Sequence, residues 1–318
     1  MGSVRLSLES GDESSKNTDR SKTGSLSFTV VMGVILVLAD VYAASYYGAW
    51  GLAVKQFTPP YPPSPVIERI DWDLTGLRRE APGSDIWATT WGDGGGFGGT
   101  NVKGRVSMGV ARIEGAAEDW KGFNVWGGRD PESDEKPFRG KAIEMLSIAG
   151  TLYMSVSKQD VWTVAKIAKS TDHGQTWISG DWDFGPPADG PSFLNFGKDY
   201  EGARDQFVYS YMPDGENKKD LLLARVPKTE IMNRSAYEFF AGLDEVGQPF
   251  WESDMERRRP VFSDPNGVGW GIRAVYNPGL HRYLLSMLHA LGDGDGSWGL
   301  FDAPEPWGPG TTVAYYTN

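Results

Sequence analysis

Cysteine is absent from the 318 residues. This removes disulfide scaffolds, iron–sulfur centres, thiolate zinc sites and thiol nucleophiles together. Histidine is nearly absent: His173, His281 and His289 are the only three, none stands in a His-Glu-x-x-His pattern, and zinc catalysis is not expected. Basic charge is in deficit, 31 Lys and Arg against 42 Asp and Glu, for a formal net charge of −11. The summed field repels phosphate backbones, so nucleic acid is not an expected partner. No Gly-x-Ser-x-Gly elbow occurs. Gly94-Gly-Gly-Phe-Gly-Gly99 satisfies Gly-x-Gly-x-x-Gly, but no βαβ pattern surrounds it, which argues against a dinucleotide site. Asp293-Gly-Asp295-Gly-Ser297 opens like a calcium loop without the third acidic ligand or the closing Glu. No cofactor and no metal are expected.

What is present describes a packed body. The chain is 40% hydrophobic and 13% aromatic, with 41 Gly, 20 Pro and 13 Trp. Gly and Pro are scattered between short Val, Tyr, Trp and Leu runs, which excludes a helical bundle or a coiled coil. Residues 1–26 are polar and read as a disordered cytoplasmic tail. Residues 27–54 are predominantly apolar, carry one charge, Asp40, and are long enough to span a bilayer. An uncleaved transmembrane anchor and a signal peptide ending at Val41-Tyr-Ala43 both fit. Arg5, Lys16, Arg20 and Lys22 precede this segment and only Lys55 closely follows it, so either reading exports the body as a single-pass membrane or secreted protein. Residues 55–65, with Thr58-Pro-Pro-Tyr-Pro-Pro-Ser-Pro65, read as a stiff spacer ahead of a domain over 66–318.

Beyond the spacer the apolar period is two. Arg105–Ile113, Thr151–Ser157, Gln206–Met212 and His281–Met287 read as strands closed by Gly, Pro or Asp, which predicts an all-β body. A longer repeat lies over it: Ala111-Arg-Ile then Trp120, Ala168-Lys then Trp177, and Ala224-Arg-Val then Tyr237, with Arg112, Lys169 and Arg225 at intervals of 57 and 56 residues. A unit of that length built from antiparallel strands predicts propeller blades. One helix is expected over Lys228–Leu243.

Ser170-Thr-Asp172-His-Gly174-Gln-Thr176-Trp177 fits the Asp box of sialidase-like propellers, in which Asp172 and His173 are structural. Further motifs carry a wider resemblance: Ser84-Asp85-Ile-Trp87, Trp91-Gly-Asp93-Gly-Gly-Gly-Phe97-Gly, Phe193-Leu-Asn195 through Arg204-Asp205, Leu223-Ala-Arg-Val-Pro227-Lys, Ala236 to Asp244, and Asp302-Ala-Pro-Glu-Pro-Trp307-Gly-Pro. From about Gly83 to Tyr316 the chain resembles the secreted domain-of-unknown-function propellers related to glycoside hydrolases, whose relatives include endo-D-arabinanases. The resemblance implies a five-bladed β-propeller. Two departures stand out, since Trp87-Ala-Thr-Thr-Trp91 runs directly into Gly92-Asp93-Gly94 and the sequence stops soon after Trp307. An incomplete ring with open edges in the first and last blades is therefore expected.

Glycoside hydrolysis needs two carboxyl groups, one protonated and one ionised. Asp85, on the family's Ser-Asp-x-Trp, is the candidate base or nucleophile. Glu144 in its apolar strand and Asp205 beside Arg204 are the candidate acids, and Asp93 between glycines is a further candidate. Asn195, Arg273, Tyr276 and Asn277 offer hydrogen bonds to sugar hydroxyls, Lys141 accompanies Glu144, and Trp87 or Trp91 offers a stacking face. The expected function is an exported glycoside hydrolase acting on a polysaccharide. The alternative is a non-catalytic propeller that binds carbohydrate or protein.

Overall fold

The computed structural model describes residues 4–6, 57–75, 77, 88–92, 95–98, 109–116, 119–126, 140–158, 161–289 and 297–316. The segment 27–54 lies outside them, and among the described residues no helix is long and apolar enough to cross a membrane. β1 (Val4–Leu6) is antiparallel to β2 (Ile70–Trp72), and the rest of the stretch 1–26 lies outside the described residues.

Up-and-down antiparallel meanders build the body. The first comprises β3 (Thr89–Gly92), β4 (Gly95–Gly98), β5 (Val110–Glu114) and β6 (Lys121–Trp126). The second comprises β7 (Lys141–Ile148), β8 (Thr151–Lys158), β9 (Val161–Ser170) and β10 (Ile178–Ser179). The third runs β11 (Ser192–Asn195), β12 (Phe207–Pro213), β13 (Asp220–Pro227), β14 (Glu238–Leu243) and β15 (Pro249–Glu252), with β16 (Phe262–Ser263) paired to β13. The fourth comprises β17 (Arg273–Asn277), β18 (Arg282–Leu288), β19 (Trp298–Ala303) and β20 (Thr311–Tyr316). This is an all-β fold of propeller-type blades, and the 57- and 56-residue repeat marks one structural position. Ala111, Ala168 and Ala224 lie on the third strand of successive meanders, each buried.

The first strand of each meander is innermost. β3 packs on β7, β7 on β11, and β11 on β17. β11 and β17 pair in parallel, Leu194 with Ala274 and Asn195 with Val275. A strand covered on both faces needs apolar residues at nearly every position. Accordingly Ser192, Phe193 and Leu194 are all buried, as are Met145, Leu146 and Ser147 in succession. Between meanders the contact is aromatic. Trp182 and Phe184 meet Tyr237 edge to face at 5.5 and 5.2 Å, and Trp182 Nε1 donates to the Met232 carbonyl at 2.7 Å.

Three expectations change. Lys228–Leu243 is not a helix: Arg234–Ala236 makes one 3-10 turn capped by Asn233, and Glu238–Leu243 is β14. Burial of Tyr237, Phe239 and Phe240 outweighs the neutral helix propensity of this stretch. The proline-rich segment is docked and does not stand as a free spacer. Ser64 N–H donates to the Thr312 carbonyl at 2.8 Å, Thr312 N–H donates to the Pro62 carbonyl at 2.7 Å, and Tyr61 OH accepts from Ser263 N–H at 2.8 Å. Proline suits this place because an edge segment does not need every N–H. The outer edge of the last meander, expected to be open, is thereby met at Thr312, near the start of β20, and Ile67 packs with Leu280 and Leu284.

The turn from β9 to β10 is held by one carboxylate. Asp172 Oδ1 accepts from Ser170 Oγ at 2.7 Å and from Thr176 N–H at 2.9 Å, and Trp177 Nε1 donates to the Gly174 carbonyl at 2.9 Å. Gly174, at φ 83°, sits where an added Cβ would lie 3.0 Å from Val110 of the first meander. Hydrogen bonds to its carboxylate, from the Thr176 hydroxyl first, then the Thr176 N–H and Ser170 Oγ, pull the Asp172 carboxyl down to about 2. A folded pKa below the unfolded value of 3.8 gives stability that is present above about pH 4 and lost as pH falls toward 2. Asp172→Asn is expected to cost about 1 kcal/mol at pH 7, with the gap to wild type closing between pH 4 and 2 in urea unfolding. A gap independent of pH would contradict this account of the turn.

Candidate active site

Innermost strands that run the same way bring their starting residues together at one end. The β11–β17 pairing fixes this for two of them. β7 follows the same direction, because Gly190, ahead of β11, packs against Ile143, whereas Ser147 and Asp199 meet past the strands' far halves. Glu144 and Arg273 belong to the starting end.

Glu144 is the one acidic residue of β7 and is 1% exposed. A register shift between Ala142 and Glu144 interrupts the pairing with β8 there, and such bulges re-aim a side chain. Its Oε2 lies 3.4 Å from Arg273 Nη1, and its Oε1 accepts from Met145 N–H at 3.0 Å. Arg273 is the first residue of β17; its Nη1 also donates to the Ile272 carbonyl at 2.7 Å, and its buried Nε donates to no described acceptor. Burial pushes the Glu144 carboxyl up to about 7, against the opposing pull of Arg273 and the Met145 N–H. A carboxyl in this state gives or takes a proton near neutral pH.

The other candidates occupy different places. Asp85, Trp87 and Asp93 lie outside the described residues, as do Asp293 and Asp295. Lys141 opens β7 at the starting end, where its N–H donates to Ser157 Oγ. Trp91 is half-buried on β3. Asn195 lies at the far end, where Thr90 Oγ1 reaches its Oδ1 at 3.5 Å. Tyr276 is packed between Phe196 and Tyr283, with the Arg204 guanidinium over its ring. Asn277 is 3% exposed and spends its Oδ1 on the N–H groups of Gly279 and Leu280, which shapes a turn. Asp205 accepts from Phe207 N–H at 2.8 Å and from Tyr209 OH at 2.7 Å, while Arg204 pairs with Glu305. Asp205 stands just ahead of β12, and the antiparallel pairing of β12 with β11, Ser192 opposite Tyr211, puts that start at the far end. Glu144, Lys141 and Arg273 therefore gather at one end, and Asn195, Tyr276, Asn277 and Asp205 at the other.

Asp199, which sequence reasoning passed over, holds the far end together: its carboxylate accepts from Ser147 Oγ at 2.7 Å and from Gly150 N–H at 3.0 Å. Its place in Gly-Lys-Asp-Tyr carries no signal beyond that of an ordinary turn.

The raised Glu144 carboxyl has a stability consequence. The folded state holds a proton that the unfolded state releases near 4.5, so stability falls as pH rises from about 4.5 to 7 and levels off above. Glu144→Gln is expected to remove this decline. Chemical denaturation at half-unit pH steps measures it, and a variant that keeps the wild-type slope would contradict the assignment.

No curated protein matches the sequence. Solved structures similar in part include an α-L-arabinofuranosidase from Podospora anserina in complex with cellotriose, at 12% identity over 75% of this chain and 71% of that one, with a TM-score of 0.44. A GH62 α-L-arabinofuranosidase catalytic domain from Coprinopsis cinerea matches at 13% identity over 72% and 67%, with a TM-score of 0.45. A GH43_1 enzyme from Xanthomonas citri, complexed with xylotriose, matches at 17% identity over 72% of each chain, with a TM-score of 0.43. The family described as Domain of unknown function (DUF4185) matches residues 142–317, more than half of the length and three of the four meanders, and the chain belongs to that family.

Proposed function

We propose that this chain is an exported carbohydrate-active propeller that hydrolyses a glycosidic bond in a polysaccharide, with Glu144 as proton donor and Asp85 as base or nucleophile. The observation that carries the reading is the buried Glu144 carboxyl, held near neutral and tied to Arg273 at the starting end of the innermost strands. In the reaction Glu144 gives its proton to the glycosidic oxygen as the bond to the anomeric carbon breaks. The carboxylate left behind is stabilised by Arg273. Asp85 activates water or attacks the anomeric carbon, according to whether the two carboxyls stand about 6.5–9.5 Å or about 5–5.5 Å apart. A five-bladed ring, and export through residues 27–54, complete the proposal.

The 1% exposure of Glu144 favours a second reading, in which the pair with Arg273 is structural and the propeller binds glycans without cleaving them. Digestion of arabinan, xylan and β-1,3-galactan by the full chain, with product analysis, separates the two. On the hydrolase reading new reducing ends appear, and Glu144→Gln lowers kcat by about 10²- to 10⁴-fold with KM little changed. Binding without turnover establishes the second reading, and wild-type turnover in Glu144→Gln removes Glu144 from the mechanism.

A further inference from the structure

We propose that Asp189 and Trp270 form a subsite for a neutral sugar residue beside Glu144 and Arg273, with Trp270 as stacking face and Asp189 as hydroxyl acceptor. The inference rests on the glycan reading above.

Asp189 immediately precedes Gly190, whose Cα packs so closely on β7 that an added Cβ would lie 2.2 Å from Ile143 Cδ1. It therefore stands at the starting end, next to the strand that carries Glu144. Its N–H donates to the Pro213 carbonyl at 3.1 Å, which fixes the backbone. Its Oδ1 is buried and receives no hydrogen bond from the described residues. A buried carboxylate oxygen left in this state costs free energy unless a donor reaches it. Neighbouring Asp214 is engaged by Arg258 at 3.2 Å and by the N–H groups of Glu216 and Asn217, and Lys218 attracts the Asp189 charge without a hydrogen bond to its Oδ1 among the described residues.

Trp270 belongs to the same end. It lies three residues before Arg273, in a loop bonded to the turn beside Asp189 through Val268 N–H to the Lys218 carbonyl at 2.8 Å. Its backbone is clamped: Gly269 N–H donates to the Leu288 carbonyl at 2.8 Å, Leu288 N–H donates to the Trp270 carbonyl at 3.2 Å, and a Cβ on Gly269 would lie 2.5 Å from the Leu288 oxygen. Yet the residue is 51% exposed. An indole held on a rigid backbone offers a flat apolar face that pays little ordering entropy when a sugar ring stacks on it. A uronic acid would bring its carboxylate toward Asp189 on a chain of net charge −11, so the subsite selects neutral sugars.

Calorimetry of the full chain with xylotriose, cellotriose, galactotriose and trigalacturonate tests this. At least one neutral trisaccharide is expected to bind, with trigalacturonate about tenfold weaker or more. Trp270→Ala and Asp189→Asn are each expected to weaken the neutral probe about tenfold, and Trp270→Phe less than about threefold. Near-UV circular dichroism establishes that the variants are folded. Wild-type affinity in Trp270→Ala, or equal affinity for trigalacturonate, overturns the subsite, and polysaccharide cleavage in the same preparation leaves the glycan reading standing. A full chain that neither binds these probes nor cleaves polysaccharide overturns both.

Discussion

Innermost strands packed side by side, covered on both faces, tolerate a charged side chain only where another strand supplies its opposite. The parallel pairing of β11 with β17 and the packing of β7 against β11 impose this constraint. Glu144 obeys it through Arg273, two innermost strands away. Desolvating a carboxylate costs more than one ion pair at 3.4 Å returns, and protonation relieves the difference. The position of Glu144 in the fold and its raised pKa are thus one fact seen twice. Met or Leu there would leave the Arg273 guanidinium without its opposite charge among the innermost strands.

Polar groups elsewhere contrast with it. Asp172, Asp199, Asp205 and Asn277 each direct their oxygens at N–H or hydroxyl donors of a nearby turn or neighbouring strand. Asp302, 1% exposed, is matched by Arg282 at 2.6 Å. These groups set backbone geometry. The Asp189 Oδ1, which has no donor among the described residues, and the exposed Trp270 differ from these, and both lie on the Glu144 side.

The β character, the strand positions and the 57- and 56-residue repeat were legible because alternation of apolar residues and turn-forming Gly, Pro and Asp are local properties. Glu144 was legible for the same reason, as a charge inside an apolar strand. Its partner was not, since no sequence pattern relates residue 144 to residue 273. Asp205 looked equally eligible beside Arg204, but that base turns to Glu305 and the carboxylate to Tyr209. The expected helix failed where the burial of Phe239 and Phe240 decided the backbone. The proline run read as a spacer because its docking depends on Ser263 and Thr312, more than 190 positions away.

The central claim is that Glu144 shares a proton near neutral pH at the meeting of the innermost strands. Infrared difference spectroscopy of the full chain against Glu144→Gln, across pH 4 to 9, follows the one carboxyl directly. The account predicts that its protonated carbonyl band disappears with a midpoint near 7. A midpoint near 4.5, the ordinary value for a solvated glutamate, would contradict it.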